Sequence, residues 1–254
     1  MTLTIRRIAV AALAGAALLV GASVPAYAIA NGTPVEEGHY RFAVKLVMTN
    51  IPRPDGSHYN SGCTGALIAP QWVITAGHCE HDVNRNPVSG PVPYSTTAII
   101  GRTDDADTNG FVISAVEVFQ SPSNDIALLK LASPVHGIRP LRVSRQGPAA
   151  GEILRITGWG SLSDVNATPA THLQTGQVKV ATVADTTVGV VGYQPLPTTS
   201  ACLYDSGAPY FFEPKHGEPS LVSIESSGPD CPHDQVETTS RVDVVAAWIR
   251  STIH

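Results

Sequence analysis

Charged and aromatic residues are scarce in this chain. Asp, Glu, Lys and Arg make up 15% of its 254 residues, and Phe, Trp and Tyr make up 6%. With a formal net charge of −5 and no cluster of Lys and Arg, the chain lacks the basic surface that nucleic-acid binding requires. Internal repeats and low-complexity linkers are also missing, so residues 29–254 fit one compact unit or two halves that share an interface.

Two motifs of other chemical classes are missing as well. The Gly-x-Ser-x-Gly sequence that presents the nucleophile of α/β-hydrolase esterases does not occur. Cys-x-x-Cys is also absent, and His78 and Cys79 are the only neighbouring histidine and cysteine, so a zinc site is poorly supported. We therefore predict no bound metal and no cofactor.

The longest apolar run lies near the N-terminus, between residue 8 and about residue 20. It follows two arginines and precedes Ala26-Tyr27-Ala28, which is the arrangement of a secretory signal peptide with a small-x-small cleavage site. The run is shorter than the roughly 20 residues that a membrane-spanning helix needs, so a membrane anchor is the weaker interpretation. We predict a signal peptide over residues 1–28, a secreted extracellular product that begins at Ile29, and no membrane attachment after the signal is removed.

Short apolar runs separated by glycine and proline predict an all-β domain. Phe42-Ala43-Val44-Lys45-Leu46-Val47 and Val178-Lys179-Val180 are examples, and 20 prolines and 22 glycines, spread without a period, provide many turns. The pattern is typical of a barrel or a sandwich. One helix is expected at the C-terminus, where four apolar residues between Val242 and Ile249 share a face.

Four cysteines in a chain predicted to be secreted suggest two disulfides. Three pairings are possible in principle. The pairs closest in sequence are Cys63 with Cys79 and Cys202 with Cys231, and each would brace a segment with a candidate catalytic residue.

Three short segments place a histidine, an aspartate and a serine in settings suited to catalysis. His78 follows the predicted strand 71–75, Asp125 precedes the apolar run 126–131, and Ser206 lies in an Asp-Ser-Gly sequence. Taken alone, each has an ordinary alternative: a structural histidine, an Asn-Asp turn and a Ser-Gly turn. Their order along the chain, His, Asp, Ser, is the catalytic order of one of the folds that use this triad.

From residue 29 to residue 249 the chain resembles the secreted trypsin/chymotrypsin-like serine peptidases. The resemblance rests on the three segments, on Cys63 ahead of the histidine, on Ile156-Thr157-Gly158-Trp159-Gly160, and on the C-terminal helix with Trp248. It implies an all-β fold of two six-stranded antiparallel β-barrels with a C-terminal helix, so that residues 29–254 form one peptidase domain with the active site between the barrels. It also implies protein or peptide substrates, proteinaceous inhibitors and a monomer.

By this resemblance Ser206 is the nucleophile, His78 the general base and then acid, and Asp125 the group that holds the tautomer of the imidazole. The backbone N–H groups of Tyr204 and Ser206 would form the oxyanion hole. Tyr204 departs from the family, which has glycine there, and Ala208 is a milder departure of the same kind. Either the tyrosine turns its amide away and leaves a weakened, protease-like binding protein, or the loop keeps the amide in place.

The resemblance also implies how the active form is produced. Ile29-Ala30-Asn31-Gly32 matches the mature start of the family, whose free ammonium pairs with the aspartate before the nucleophile, here Asp205. Cleavage after Ala28 would make Ile29 the new terminus at once. We therefore predict no long propeptide; N-terminal sequencing that found Tyr27 or an earlier residue on the active form would contradict this.

Local alignment to the family suggests the residues that bind substrate. Ser200 falls at the floor of the pocket for the side chain before the scissile bond, the P1 residue. Ser226 supports the triad aspartate, and Gly228 keeps the pocket entrance open. Glu225 and Glu237 fall on opposite walls, where two carboxylates would favour a P1 lysine or arginine and raise one another's pKa. The alternatives are that the pocket has a mixed P1 preference, that it prefers a large apolar P1 residue, or that the two glutamates face the solvent.

Overall fold

A computed structural model of the protein describes residues 29–254, so the predicted signal peptide, residues 1–28, lies outside the described residues. The described chain forms two closed six-stranded antiparallel β-barrels and ends in one short helix, α1 (Ala246–Ile253). The predicted double barrel with a C-terminal helix is confirmed. No helix in residues 29–254 is long and apolar enough to cross a bilayer.

The first barrel follows the short strand β1 (Thr33–Pro34), which pairs with the second barrel. Its strands are β2 (Ala43–Pro52), β3 (His58–Ala69), β4 (Trp72–Thr75), β5 (Gly90–Pro91), β6 (Ser95–Ile100), β7 (Phe111–Gln120) and β8 (Ala127–Leu131). The ring runs β2, β3, β4, β8, β7, β6 and returns to β2, with β5 paired to β7 outside it. Side chains alternate inward and outward, as in β6, where Thr96, Ala98 and Ile100 are buried.

The second barrel is closed by the pairing of β11 with β12. Its strands are β9 (Arg142–Val143), β10 (Ile153–Gly158), β11 (Gln174–Val183), β12 (Thr187–Gln194), β13 (Pro209–Phe212), β14 (Ser220–Ser227) and β15 (Glu237–Arg241). The ring runs β11, β10, β13, β14, β15, β12, while β1 and β9 pair at its margin. Neither barrel has an open edge between its six main strands.

Apolar side chains join the two barrels. Phe211 of β13 packs edge to face against Phe42, which precedes β2, with 5.4 Å between the ring centroids. Val242 and Ile249, near and within α1, belong to the same buried cluster as the core of the first barrel. The shared core holds the barrels in one arrangement, so that residues of both can meet in the cleft between them.

Two disulfides brace the chain near the candidate catalytic residues. Cys63 is bonded to Cys79, and Cys202 to Cys231. These are the two pairs closest in sequence, and the predicted disulfides are confirmed. Each ties a loop of the cleft to a neighbouring segment of its own barrel.

Glu80 is a buried carboxyl two residues after His78. Its side chain is fully buried, Oε1 accepts a hydrogen bond from the Thr96 hydroxyl at 2.8 Å, and Oε2 has no partner among the described atoms. Burial raises the pKa of Glu80 to about 8, although the bond from Thr96 acts to lower it. The folded protein therefore holds this proton up to a higher pH than the unfolded chain does.

We expect Glu80→Gln to flatten the pH dependence of stability. In the wild type the free energy of unfolding falls as pH rises from about 4.5, where the unfolded chain ionises, to about 8, where the folded protein follows. The variant lacks this loss, whose upper bound is roughly 5 kcal/mol at about 1.36 kcal/mol per pKa unit. Urea unfolding at pH 5, 6.5 and 8 measures it. Parallel curves for the wild type and the variant would contradict the prediction, and the exposed Glu37→Gln is the matched control.

Candidate active site

The pairing of β4 with β8 brings His78 and Asp125 together. Thr75 ends β4 and faces Ala127, which begins β8, so the residues that follow β4 and precede β8 lie at the same end of the barrel. The His78 backbone N–H donates to Asp125 Oδ1, and His78 Nδ1 lies beside Oδ2, both at 2.8 Å. The Ser226 hydroxyl also donates to Oδ2, at 2.7 Å. This is the contact that the local alignment suggested for Ser226.

The electrostatics of this pair define the tautomer of the imidazole. Burial acts to raise the pKa of Asp125, but the hydrogen bonds from His78 and Ser226 and the charge of the imidazole hold it below its ordinary value. An ionised carboxylate only accepts hydrogen bonds, so the proton of a neutral His78 ring lies on Nδ1. The opposite nitrogen, Nε2, is then free to accept a proton.

Gly77 is required by close packing at this pair. A Cβ at position 77 would lie 2.6 Å from Gln120 Oε1 and 3.0 Å from Asp125 Oδ1. The glycine before His78 therefore lets the aspartate approach the histidine backbone.

Ser206 lies on the loop between β12 and β13 of the second barrel, and this loop is attached to the first barrel. The Thr64 backbone N–H on β3 donates to the Ser206 carbonyl oxygen at 2.8 Å. Cys79 Sγ lies 3.8 Å from the same oxygen. Because Cys79 follows His78 directly, this contact brings the serine to the histidine and aspartate across the cleft.

Tyr204 holds a left-handed backbone conformation, with φ of 74°. This conformation costs a residue with a Cβ about 1–2 kcal/mol relative to the right-handed one. The Tyr204 carbonyl accepts a hydrogen bond from the Thr64 hydroxyl at 3.1 Å. Among residues 29–254, the backbone N–H groups of Tyr204 and Ser206 have no acceptor. The tyrosine has therefore kept the conformation that glycine favours, and both amides can donate to a bound oxygen.

Asp205 is completely buried beside Ile29 and between the glycines of Gly158-Trp159-Gly160. Its oxygens accept hydrogen bonds from the backbone N–H groups of Gly160, at 2.8 Å, and Cys202, at 3.1 Å. A Cβ on either glycine would overlap its carboxyl group, which explains the Gly-Trp-Gly sequence. Burial raises the pKa of Asp205 to about 8, although hydrogen bonds from these two N–H groups and from the Ile29 backbone act to lower it. A cation at this place would favour the ionised form.

A cavity of about 240 Å³ opens beside Ser206. Four acidic side chains line it, and no Lys, Arg or His of the described chain does: the acidic residues are Asp164, Glu225, Asp230 and Glu237. Ser226 and Gly228 line it too, so four of the five predicted pocket residues meet there. A Cβ at Gly228 would lie 3.1 Å from Glu237 Cγ, which shows how closely the entrance wall is packed.

The two glutamates of this cavity share one tyrosine. The hydroxyl oxygen of Tyr210 lies 2.7 Å from Glu225 Oε2 and 2.8 Å from Glu237 Oε2. A hydroxyl has one proton to donate, so the second short contact requires a proton on one of the carboxyls. Burial, and then the charge of Glu237, raise the pKa of Glu225 well above its usual range. Glu225 is therefore the neutral member.

Glu237 has more polar neighbours than Glu225, because two further protein groups face its carboxylate. The Ala201 backbone N–H donates to Glu237 Oε1 at 2.6 Å. His233 Nε2 lies 3.3 Å from the same oxygen, and this contact raises the pKa of His233. Ser200 does not line the cavity: it is 1% exposed, and its Oγ accepts the His233 backbone N–H at 3.4 Å. It belongs to the buried layer behind the wall.

Tyr210 and His233 were missed in the sequence. Tyr210 follows Pro209 in an apolar segment that reads as an ordinary buried strand, and it meets Glu225 only because β13 pairs with β14. His233 lies in a loop rich in proline and aspartate, and nothing in that loop distinguishes it from a surface histidine.

Within residues 29–254 no group of three or more His, Cys, Asp or Glu side chains is arranged to hold a metal ion.

Comparison with known proteins agrees with this geometry. A family model described as Trypsin matches residues 29–249. A snake venom serine protease homolog of Protobothrops jerdonii is 28% identical over 167 residues, which are 58% of this chain and 61% of that protein. Serine protease 57 of Rattus norvegicus is 36% identical over 126 residues, 45% of this chain and 43% of that protein. The chain thus spans about half the length of the curated relatives it matches.

Proposed function

The chain belongs to the trypsin family, and we propose that it is a secreted serine endopeptidase that cleaves peptide bonds through an acyl-enzyme on Ser206. One observation supports this most directly. His78 Nδ1 is bonded to Asp125, whose carboxylate also accepts the His78 backbone N–H and the Ser226 hydroxyl, and the adjacent Cys79 contacts the Ser206 carbonyl oxygen. The signal-like segment 1–28 and the two disulfides support secretion.

The proposed reaction begins with proton transfer from the Ser206 hydroxyl to His78 Nε2. The serine oxygen attacks the substrate carbonyl carbon. The carbonyl oxygen, now negative, accepts hydrogen bonds from the free backbone N–H groups of Tyr204 and Ser206. His78 then gives its proton to the leaving amine, and the C–N bond breaks. A water molecule, deprotonated by the same nitrogen, attacks the acyl carbon; the bond to Ser206 Oγ breaks, and His78 returns the proton to the serine oxygen. Asp125 stabilises the imidazolium formed in both steps.

We further propose that cleavage after Ala28 makes Ile29 the partner of Asp205. Ile29 is fully buried, and its backbone nitrogen is among the groups that act on the Asp205 carboxyl. The new ammonium would supply the cation that a fully buried carboxylate needs. Removal of one partner from a buried pair costs roughly 3–5 kcal/mol, so this contact would order the loop that bears Ser206.

For the P1 residue we propose lysine or arginine. The supporting observation is the acidic lining of the cavity beside Ser206, where Glu237 Oε1 accepts a hydrogen bond from the Ala201 backbone N–H. A basic P1 side chain would donate hydrogen bonds to the buried carboxyl groups of this cavity, and such charge-assisted hydrogen bonds contribute about 1.5–3 kcal/mol.

Labelling of the secreted protein with a fluorophosphonate tests the proposed activity. We expect one covalent adduct on Ser206, loss of labelling in Ser206→Ala, and cleavage of peptides after Lys or Arg. The matched control is Ser251→Ala, which removes an exposed serine hydroxyl on α1 and should leave labelling unchanged. A protein that is folded and processed at Ile29 but neither labelled nor able to cleave any peptide of a library is not a protease.

Tyr204→Gly tests whether the oxyanion hole is impaired. Because Tyr204 already has the left-handed conformation and a free amide, we expect kcat/KM to change less than about threefold. Loss of a working donor would instead cost about 2.7–4 kcal/mol. A tenfold or larger rise in the glycine variant would show that the tyrosine displaces the amide. Ala208→Gly is the control for added flexibility in the same loop.

A binding protein with weakened catalysis is the second candidate, and Tyr204 is the feature that favours it. Its ring lies beside Gly62 of β3, where a Cβ would be 3.6 Å from Tyr204 Cδ1. One relative is itself named a protease homolog. If this candidate is correct, peptides bind in the cleft without being cleaved, and Tyr204→Gly restores their turnover.

A further inference from the structure

A second cavity, of about 410 Å³, borders His78 and shares no lining residue with the acidic cavity beside Ser206, which we call the acidic pocket. We call it the cationic cavity; its lining includes Arg53, Tyr59, His78, His81, Asp82 and Arg85. Arg53 and Arg85 are exposed, and neither forms an ion pair with any described residue. Two unpaired guanidinium groups beside a catalytic histidine are a site for an anion.

Arg53 is held in position by its own hairpin. Its guanidinium carbon lies 4.3 Å from the centroid of the Tyr59 ring. Its Nη1 donates to the His58 carbonyl oxygen at 3.2 Å and to the Ser57 hydroxyl at 3.4 Å. The side chain therefore loses little conformational entropy when it meets a ligand.

The charged residues that line the cavity, apart from its histidines, are two arginines and one aspartate, Asp82. Asp82 accepts the backbone N–H groups of Asn84 and Asn86, both at 2.8 Å, so its carboxylate is held by its own turn. Asp55 accepts the Ser57 backbone N–H in the same way, and it does not line the cavity. Burial lowers the pKa of His81; the charges of Asp125 and Asp82 act to raise it, and those of His78 and Arg85 act to lower it. The positive charge is thus that of the two arginines.

The position of the cavity along the cleft indicates which part of a substrate reaches it. The acidic pocket belongs to the second barrel, and it borders Ser206. The hairpin formed by β2 and β3 belongs to the first barrel; it contains Gly62, beside the Tyr204 ring, and bears Arg53 and Tyr59 toward its tip. A peptide with P1 in the acidic pocket would continue past the scissile bond along this hairpin.

We propose that the cationic cavity binds an acidic side chain on the leaving-group side of the scissile bond, with Arg53 and Arg85 as specificity-determining residues. The inference rests on the proposed function for its polarity along the substrate. It predicts peptides with Lys or Arg before the bond and Asp or Glu within the next three residues. The acidic pocket and the cationic cavity, of opposite charge on the two sides of the triad, would orient such a peptide.

Binding to the Ser206→Ala protein tests this without requiring turnover. The probes are fluorescent peptides with lysine at P1 and glutamate, glutamine or lysine at each of the three following positions, measured by fluorescence anisotropy. We expect the best glutamate peptide to bind about fivefold to tenfold more tightly than its glutamine match at about 50 mM salt. The ratio should fall below about twofold when Arg53→Gln and Arg85→Gln are added, and at about 500 mM salt.

Arg250→Gln, an exposed arginine on α1, is the matched control and should leave the ratio unchanged. Equal binding of glutamate and glutamine peptides would overturn the proposal, as would a preference that survives loss of both arginines. A further peptide of the series carries glutamate before the lysine; if only that peptide gained affinity, the cavity would lie on the other side of the scissile bond, and the proposal would be overturned. Failure of the fluorophosphonate test would instead contradict the proposed activity, and the binding ratio would still be measured.

Discussion

Replacement of Asp125 by asparagine is expected to lower kcat about 10⁴-fold without unfolding the protein. The carboxylate accepts at both oxygens: Oδ1 takes the His78 backbone N–H, and Oδ2 takes Nδ1–H and the Ser226 hydroxyl. An asparagine has only one accepting oxygen, and the His78 backbone N–H can only donate to it. The amide nitrogen then faces Nδ1, so the ring proton moves to Nε2, where it blocks proton transfer from Ser206.

Steady-state kcat on a peptide substrate, with circular dichroism for the fold, measures this effect. Ser226→Ala is the matched control, because it removes a donor to Oδ2 but leaves the tautomer unchanged; we expect a loss below about tenfold. If the Asp125→Asn enzyme kept more than a tenth of its activity, the backbone bond would not decide the orientation of the amide, and this account of the tautomer would be wrong.

Glu237→Gln is expected to lower the preference for a P1 lysine over leucine by about 10- to 100-fold, whereas Glu225→Gln should change it less than about threefold. The difference follows from the single proton shared through Tyr210. Glu225 is neutral, so a glutamine there replaces one neutral group with another. Glu237 is the second member of the pair and also accepts the Ala201 backbone N–H, so its loss removes a charge-assisted bond to a basic P1 side chain, of about 1.5–3 kcal/mol.

The ratio of kcat/KM values for matched lysine and leucine substrates gives the measurement. Equal losses in the two variants would show that both carboxylates are ionised, and no loss in either would remove the acidic pocket as the source of specificity. The pH dependence of the lysine-to-leucine preference gives a second measurement. As pH falls, His233 becomes protonated beside Glu237 and partly neutralises it, so the preference for lysine should weaken.

Much of the candidate site could be predicted because its signals are local. The apolar run after Asp125 and the small residues before His78 identify a strand entrance and a strand end. Two disulfides were expected, and of the three possible pairings the structure has the one between the cysteines closest in sequence, Cys63–Cys79 and Cys202–Cys231. For Asp205 the resemblance implied a pair with the N-terminal ammonium, and the structure adds that Gly158 and Gly160 leave room for its buried carboxyl group.

Tyr210, His233 and the arginines of the cationic cavity could not be found in the same way. Glu225, Tyr210 and Glu237 lie on three different strands of the second barrel. Their meeting depends on the register of β13, β14 and β15, and one residue of slip would turn each side chain to the other face. The same dependence explains Ser200, whose local alignment suggested the pocket floor but whose side chain is buried behind the wall.

The sequence patterns by themselves determined an all-β chain with two disulfides and the order of the three candidate triad residues, because strand alternation and turns depend on neighbouring residues; the double barrel and the triad roles followed from the family resemblance. Only the tertiary structure decided that Tyr204 keeps a left-handed backbone, that one of two glutamates is neutral, and that two arginines flank the histidine. Those properties depend on distances and burial between residues far apart in the chain, and closure of the two barrels sets both.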